Sequence, residues 1–345
     1  MESIIPKVAI ILINYKNTRD TIECLESVLK LDYPNFNIVI VDNSEDEHLQ
    51  LALESWAKGA YSVQTLFPKI VYPSVEKPIS FVCLTEGDDS FVEGTKITII
   101  LAKKNRGFAA GNNIGIRYAL KVTDVTLFWL LNNDTIVKRE ALSSLVRYVI
   151  ENPAMGIVGS KLLYYNNPAI IQGIGGKYNR WFGIVKEIGR DQNEWDSLNN
   201  NQVLDFDYVI GASMLVKKDF LLDVGLMDED LFLYFEELDW ALRAKKKNWK
   251  LGCCKESIVY HKQGASINSG IKKHSSILSD YYSIRNRIFI TKRHFPYALI
   301  TLYPSFLIFA FNRIKRKEFK RLSMLLQILM NADKHFRETS FNDRN

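Results

Sequence analysis

The chain has 345 residues and a mass of 39.8 kDa, with 47% hydrophobic and 24% charged residues. That composition can build a core, excludes wholesale disorder, and suits one large or two ordinary domains. A mean hydropathy of −0.09 speaks against a polytopic membrane protein. The formal charge of +6 is unevenly spread. Residues 285–345 hold 13 Lys and Arg against 4 Asp and Glu, and the chain before them holds 32 against 35. The basic excess therefore belongs to the C-terminal segment. No helix-turn-helix pattern, zinc module or basic strip with interleaved aromatics points to nucleic acid. Cys24, Cys83, Cys253 and Cys254 form no C-x-x-C pair and read as reduced thiols of a cytosolic protein. Residues 1–6 lack the basic-then-apolar order of a signal peptide, so none is expected.

Residues 8–13 are a continuous β-branched and aliphatic run, the mark of a strand buried on both faces. Thr18 offers an N-cap for a helix with Ile22, Leu25, Val28 and Leu29 at helical spacing, which Tyr33, Pro34 and Asn35 end. Residues 38–41 are the next buried strand, so the chain opens as a βαβ unit of a parallel sheet. A helical stretch follows at 49–57. Residues 59–94, with three prolines and no clear period, read as an irregular insertion. A strand at 97–101, a helix over 107–119, a strand at 127–131 and a helix over 139–150 resume the alternation.

The second half is less regular. Residues 156–163 are a strand candidate, and 170–191 are glycine-rich with short β-like pieces. Residues 203–209 and 212–216 read as strands flanking Gly211. Helices are expected over 219–224, 235–247 and 279–293, with a short strand at 257–260. Residues 295–312 carry no charge, contain Pro304, and are flanked by Lys292, Arg293, Arg313, Lys315, Arg316 and Lys317. That pattern suits a helix lying on a membrane surface. The alternative is a C-terminal helix packed on the domain or in a homodimer.

Four first-half strands run into polar residues: Asn14; Asp42 and Asn43; Asn105; and Asn132, Asn133 and Asp134. One such site is an ordinary turn. Four together suit a ligand at the carboxyl ends of an open α/β sheet. No G-x-x-x-x-G-K-[ST] or G-x-G-x-x-G loop is present, which excludes the usual ATPase and dehydrogenase designs. Gly107, Gly111 and Gly115, spaced by four, suit close helix packing.

Several blocks then occur in a recognisable order. They are Ile11-Leu12-Ile13-Asn14-Tyr15, Val41-Asp42-Asn43-Ser44, Asn105-Arg106-Gly107-Phe108-Ala109-Ala110-Gly111-Asn112-Asn113, and Leu130-Leu131-Asn132-Asn133-Asp134-Thr135. After them come Gly211-Ala212-Ser213-Met214-Leu215, Phe235-Glu236-Glu237-Leu238-Asp239-Trp240 and Val259-Tyr260-His261. In these blocks the chain resembles the family 2 glycosyltransferases of GT-A fold, and is most similar to the bacterial rhamnosyltransferase-like branch.

The resemblance implies an α/β fold with a mainly parallel, Rossmann-like twisted sheet covered on both faces. A catalytic domain over 1–278 would divide into a nucleotide-sugar half (1–135) and an acceptor half (136–278), followed by a helical region (279–345). Asn14, Tyr15, Asp42 and Asn43 would border the base and ribose. Asn105, Gly107, Asn112, Asn132, Asn133 and Gly211 would line the donor pocket. Asp134 would hold Mg²⁺ or Mn²⁺ against the donor diphosphate, with His261 completing the site. Asn132 stands where the family's first acid is expected, so one formal charge is missing. Glu237 would be the general base of an inverting transfer and Glu236 an acceptor contact. Asp239 and Arg243 are four apart and read as a structural pair. Lys262 would add positive charge at the diphosphate, in a loop over 261–266.

The processive Gln-x-x-Arg-Trp signature is absent, so transfer of one or a few sugars is expected. The donor would be a nucleoside-diphosphate sugar, with dTDP-L-rhamnose first and UDP-sugars as alternatives. The acceptor would be a glycan or lipid-linked glycan of a bacterial surface polysaccharide. The enzyme would sit in the cytoplasm, peripheral at the inner face of the cell membrane. A nucleotidyltransferase and a non-catalytic sugar-nucleotide-binding partner are the competing readings.

Overall fold

The computed structural model describes residues 5–88, 90, 94–122, 124–193, 205–262 and 276–330. The first half runs β1 (Lys7–Asn14), α1 (Thr18–Val28), β2 (Phe36–Asp42), α2 (His48–Ala57), α3 (Pro68–Val71), β3 (Val82–Thr85), β4 (Ile97–Leu101), α4 (Gly107–Ala119), β5 (Val125–Asn132), β6 (Thr135–Val137) and α5 (Ala141–Glu151). The second continues with β7 (Met155–Tyr164), β8 (Asn167–Gly173), β9 (Gly176–Asn179), β10 (Ile184–Glu187), β11 (Ser213–Lys217), α6 (Lys218–Val224), α7 (Glu236–Lys246) and β12 (Lys250–His261). Three helices close the described chain: α8 (Ile277–His294), α9 (Leu299–Lys315) and α10 (Phe319–Leu329).

One sheet carries the domain, in the order β3-β4-β2-β1-β5-β11-β7-β12-β6 with β8 on β7. The strands from β3 to β5 are all parallel; β11 is antiparallel to both β5 and β7. Strand alternation explains the two cores. From β1, Val8, Ile10 and Leu12 face one layer with α1, α2 and α5, while Ala9 and Ile11 face the other with α4, α6 and α7. Register then sets the site. Asn14 lies opposite Asp42, and Ile13 opposite Asn132, so the polar ends of three strands meet at one edge.

Several expectations change. Thr18 is the first helical residue rather than the cap; Asn17 is the cap, and its amide bonds Asp20 instead of the helix backbone. The span 59–94 contains β3, a parallel edge strand, so it extends the sheet rather than merely interrupting it. Residues 205–209 form no ladder strand. Tyr208 makes a single bridge to Gly176, and its ring fills the space above that glycine. Their alternating pattern comes from packing. The short strand at 257–260 is the end of twelve-residue β12, whose register shifts between Cys254 and Ile258. The uncharged segment is a short 3₁₀ turn followed by α9, which continues through Pro304.

The C-terminal helices form their own core. Tyr281, Tyr282 and Ile288 of α8 meet Leu302 and Phe306 of α9 and Met324, Leu325 and Ile328 of α10. Phe232 and Tyr234 of the catalytic part pack against it.

The expected close packing along α4 is present. A Cβ at Gly115 would lie 2.6 Å from Cγ2 of Ile11 on β1. At Gly107 it would lie 2.1 Å from the carbonyl oxygen of Phe232, and φ there is +89°. Backbone cannot yield as a side-chain tip can. Gly107→Ala should therefore cost roughly 2–5 kcal/mol in urea unfolding. Gly94→Ala, at φ +79° with nothing within 4 Å, should lose only about 1 kcal/mol.

Candidate active site

The strand ends hold two clusters. In the first, Asn14 is fully buried and used internally. Its Nδ2 donates to Asp42 Oδ1 (2.8 Å) and Ser44 Oγ (3.0 Å). Its Oδ1 accepts from Thr21 (2.9 Å) and Asn133 (3.2 Å). Asn14 and Asn133 thus brace the pocket wall. Asp42 is the group left open. Oδ1 also accepts from the backbone and hydroxyl of Ser44, while the buried Oδ2 has no partner among the described residues. Asn43 Oδ1 is likewise unpartnered. Desolvation raises the Asp42 pKa against its hydrogen bonds. An unsatisfied buried acceptor is costly, and a ligand hydroxyl or ring N–H would complete it.

Tyr15 is half-buried beside this cluster. Asn105 Oδ1 accepts from the Gly107 N–H, which shapes the start of α4. Asn112 turns back to Phe108 of its own helix. Asn113 instead ties α4 to the segment before α7, bonding the backbone N–H and carbonyl of Met227 and donating to the Glu229 carboxylate.

The second cluster lies where β6 pairs with β12. That antiparallel register sets His261 opposite Thr135 and brings its Nε2 to 3.2 Å from Asp134 Oδ1. Asn132 Nδ2 is 3.4 Å from the same nitrogen. The other ring nitrogen, Nδ1, meets Gln172 Oε1 at 2.7 Å. An amide oxygen only accepts, so Nδ1 donates to Gln172 and the ring is oriented with Nε2 towards Asp134. Burial raises the Asp134 pKa, but His261 and Lys262 beside it hold the carboxyl below its usual value. Lys262 brings its positive charge beside Asp134 while being paired itself. Its ammonium bonds Asp20 and Glu23 of α1. Residues 263–266 of the expected loop lie outside the described residues.

The acids sit at the start of α7. Tyr234 and Phe235 have φ of +69° and +73°, the left-handed region in two successive non-glycine residues. Asn286 of α8 holds this turn, donating to the carbonyls of Leu233 (2.9 Å) and Tyr234 (3.0 Å). The tight turn starts the helix abruptly, so Glu236 and Glu237 occupy its first turn. Glu236 is 4% exposed, with one oxygen unpartnered among the described residues, while Glu237 is more open. Burial and its neighbour Glu237 raise the Glu236 pKa well above normal. Burial, with help from Glu187, pushes Glu237 up to about 7. Asp239 behaves as the expected structural group. Fully buried, it meets Arg243 and His294 at 2.7 Å each. Gly211 faces Phe108 and Glu237 at ordinary contact distance, so its own chain does not demand glycine there.

Gln172, Glu187 and Asn286 belong to this site and carried no motif signal. Each arrives on an element far away in sequence.

The model of the glycosyltransferase-like family 2 matches residues 81–276, more than half of the chain. This chain is a family 2 glycosyltransferase. That sets aside the nucleotidyltransferase and non-catalytic readings. The hexosyltransferase Agl10 of low-salt glycan biosynthesis in Haloferax volcanii is 24% identical over 163 residues, 46% of this transferase and 50% of its own length. The dTDP-rhamnosyl transferase RfbF of Shigella flexneri is 26% identical over 222 residues, 61% and 69% of the two chains. This transferase therefore spans about half the length of the Haloferax relative. Among solved structures, GalNAc-T7 with UDP, GalNAc and Mn²⁺ is similar at a TM-score of 0.54 and 15% identity, over 84% of this chain and 48% of that one. That likeness carries the fold, which is GT-A.

The raised Glu237 pKa is also a statement about stability. The folded state holds this proton more tightly than the unfolded chain. Stability should fall as pH rises from about 4.5 through about 7, then level off. Glu237→Gln, which mimics the protonated acid, should match the wild type in urea unfolding at pH 5 and exceed it at pH 8.

Proposed function

We propose that the enzyme is an inverting, metal-dependent transferase. It moves a sugar, with dTDP-L-rhamnose as the leading donor, to a glycan or lipid-linked glycan of a bacterial surface polysaccharide. The observation that carries the mechanism is Glu237: a partly open carboxyl at a fixed helix start, with a pKa near neutrality. The name of the Shigella relative supports the donor.

The chemistry needs one base. Glu237 takes the proton from the acceptor hydroxyl as its oxygen bonds to the sugar's anomeric carbon. The bond from that carbon to the donor phosphate breaks, and the nucleoside diphosphate leaves with the electron pair. Glu236 is buried with its pKa raised well above normal, and in its protonated form it repels Glu237 less than a second carboxylate would. Asp42 Oδ2 and Asn43 Oδ1 offer acceptors to ribose or base.

The pair Asp134 and His261, with Asn132 alongside, fits a hard divalent ion that draws its remaining ligands from phosphate and water. Bound there, Mg²⁺ or Mn²⁺ would offset the charge of the leaving diphosphate. Gln172 orients the imidazole, as outer partners of metal-binding histidines do.

The C-terminal face supports a location at the membrane. Residues 296–315 form a helical stretch long and apolar enough to cross a bilayer by length and composition. One side of α9 is nevertheless occupied by the α8–α10 core, while Leu307, Ile308, Phe311 and Ile314 are exposed. A helix packed on one side and apolar on the other suits the inner membrane surface.

Glu237→Gln should lower transfer by on the order of 10²–10⁴-fold while donor binding in a thermal-shift assay persists. Full activity in that variant would remove the base assignment. In the wild type, kcat/KM should rise with pH through about 7 to a plateau, because the base must be deprotonated. Asp134→Ala should abolish the stimulation by Mn²⁺, read as donor-induced stabilisation with and without the ion.

A further inference from the structure

Between the β9–β10 turn and α9 lies an open groove of about 460 Å³, walled by Phe182, Ile184, Ile300, Pro304 and Ile308. Arg287 of α8 lines it from within. Its stem crosses Gly183, where a Cβ would fall 2.3 Å from the arginine Cγ. Any larger residue at 183 would block the arginine. Nε and Nη1 of Arg287 are shielded from solvent and have no hydrogen-bond partner among the described residues. The Phe309 ring lies 5.2 Å from the guanidinium, which offsets part of the lost hydration. A guanidinium with two N–H groups left without partners among the described residues calls for an anion, and phosphate matches its fork; because both nitrogens are shielded in this conformation, the guanidinium must turn towards the groove to meet it. The walls call for hydrocarbon: Ile300 is 75% exposed and Ile308 65%. Few ligands present both a phosphate and a hydrocarbon chain, and a phospholipid-like molecule is the one that does.

We propose that this groove takes the phosphate end of the acceptor lipid, with Arg287 pairing the phosphate and the hydrocarbon chain running out between the hairpin and α9. The word acceptor rests on the transferase reading; the binding itself does not. The geometry links the two. Strand β10 runs from Ile184 in the groove to Glu187, whose carboxylate acts on Glu237. Three strand residues span about 10 Å. A sugar esterified to a phosphate at Arg287 extends along the hairpin towards the base. The acceptor class is thereby narrowed from any glycan to a glycan on a phosphate-bearing lipid.

The test is calorimetric binding of dodecyl phosphate to the full chain, below the concentration at which it forms micelles, beside inorganic phosphate and dodecyl maltoside. Dodecyl phosphate should bind at least tenfold more tightly than either. Arg287→Ala should bring it down to the level of the maltoside, and Arg287→Lys should retain part of the difference. Equal binding of the maltoside would mean an apolar patch only, and equal binding of inorganic phosphate a simple ion site; either overturns the proposal. So would undiminished binding in a folded Arg287→Ala. If that variant fails to fold, the three wild-type affinities decide alone. No donor or turnover enters the measurement. Its failure leaves the transferase reading intact, and an active Glu237→Gln leaves the lipid site intact.

Discussion

The site depends on a strained turn held from outside. Two successive left-handed residues, Tyr234 and Phe235, cost of order 1–3 kcal/mol each and persist only where the surroundings fix them. Asn286 does so with two hydrogen bonds, and Tyr234 Oη adds a third to Ser279 of α8 (2.9 Å). The return is position. Glu236 and Glu237 leave the turn at a helix N-terminus, where the dipole favours carboxylates by about 0.3–1 kcal/mol. Burial opposes ionisation by more than that, so both acids end with raised pKa values. The balance leaves the Glu237 pKa pushed up to about 7 and that of Glu236 well above normal, through burial and the repulsion of neighbouring carboxylates.

The same turn joins the C-terminal helices to the chemistry. A boundary at 278 looks natural in sequence, because charge and hydropathy change there. In the fold, α8 supplies Asn286 to the turn and His294 to Asp239 of α7. It also presents Arg287 to the groove beside α9. One helix thus contacts the turn before Glu236, the buried Asp239 of α7, and the apolar face. Helix α8 is packed into the turn and α7 rather than standing apart from them.

The first half of the fold was legible because buried parallel strands read as uninterrupted apolar runs. β1, β2, β4 and β5 fall within a few residues of expectation. β12 was mostly hidden, since Lys255 and Glu256 break its pattern where the register shifts. The alternating run before Gly211 misled for the opposite reason: Phe206 and Tyr208 alternate to pack on Gly175 and Gly176, not to join the sheet. In the site, residue types were legible and directions were not. Asn14 and Asp42 adjoin in register, yet one is consumed by its neighbours and the other keeps an oxygen without a partner among the described residues. Gln172 and Asn286 matter only through contacts across 89 and 52 residues of sequence, which no local pattern encodes.

Charge bookkeeping at the strand ends gives the physical case for a divalent ion. A departing diphosphate needs positive charge. Lys262 looks suited to supply it, but its ammonium is held by two acids of α1. Arg106, at the start of α4, is likewise paired with Glu86 and Glu229. In the proposed metal site, Asn132 in place of an acid would weaken an ion's hold but also lower the repulsion of the phosphates. Among the described residues, the proposed metal site offers the Asp134 carboxylate and an oriented imidazole, which would be too little to retain an ion by themselves and enough to share one with a diphosphate. In such a site ion and donor bind together, so the ion's affinity is a property of the donor complex as much as of the protein.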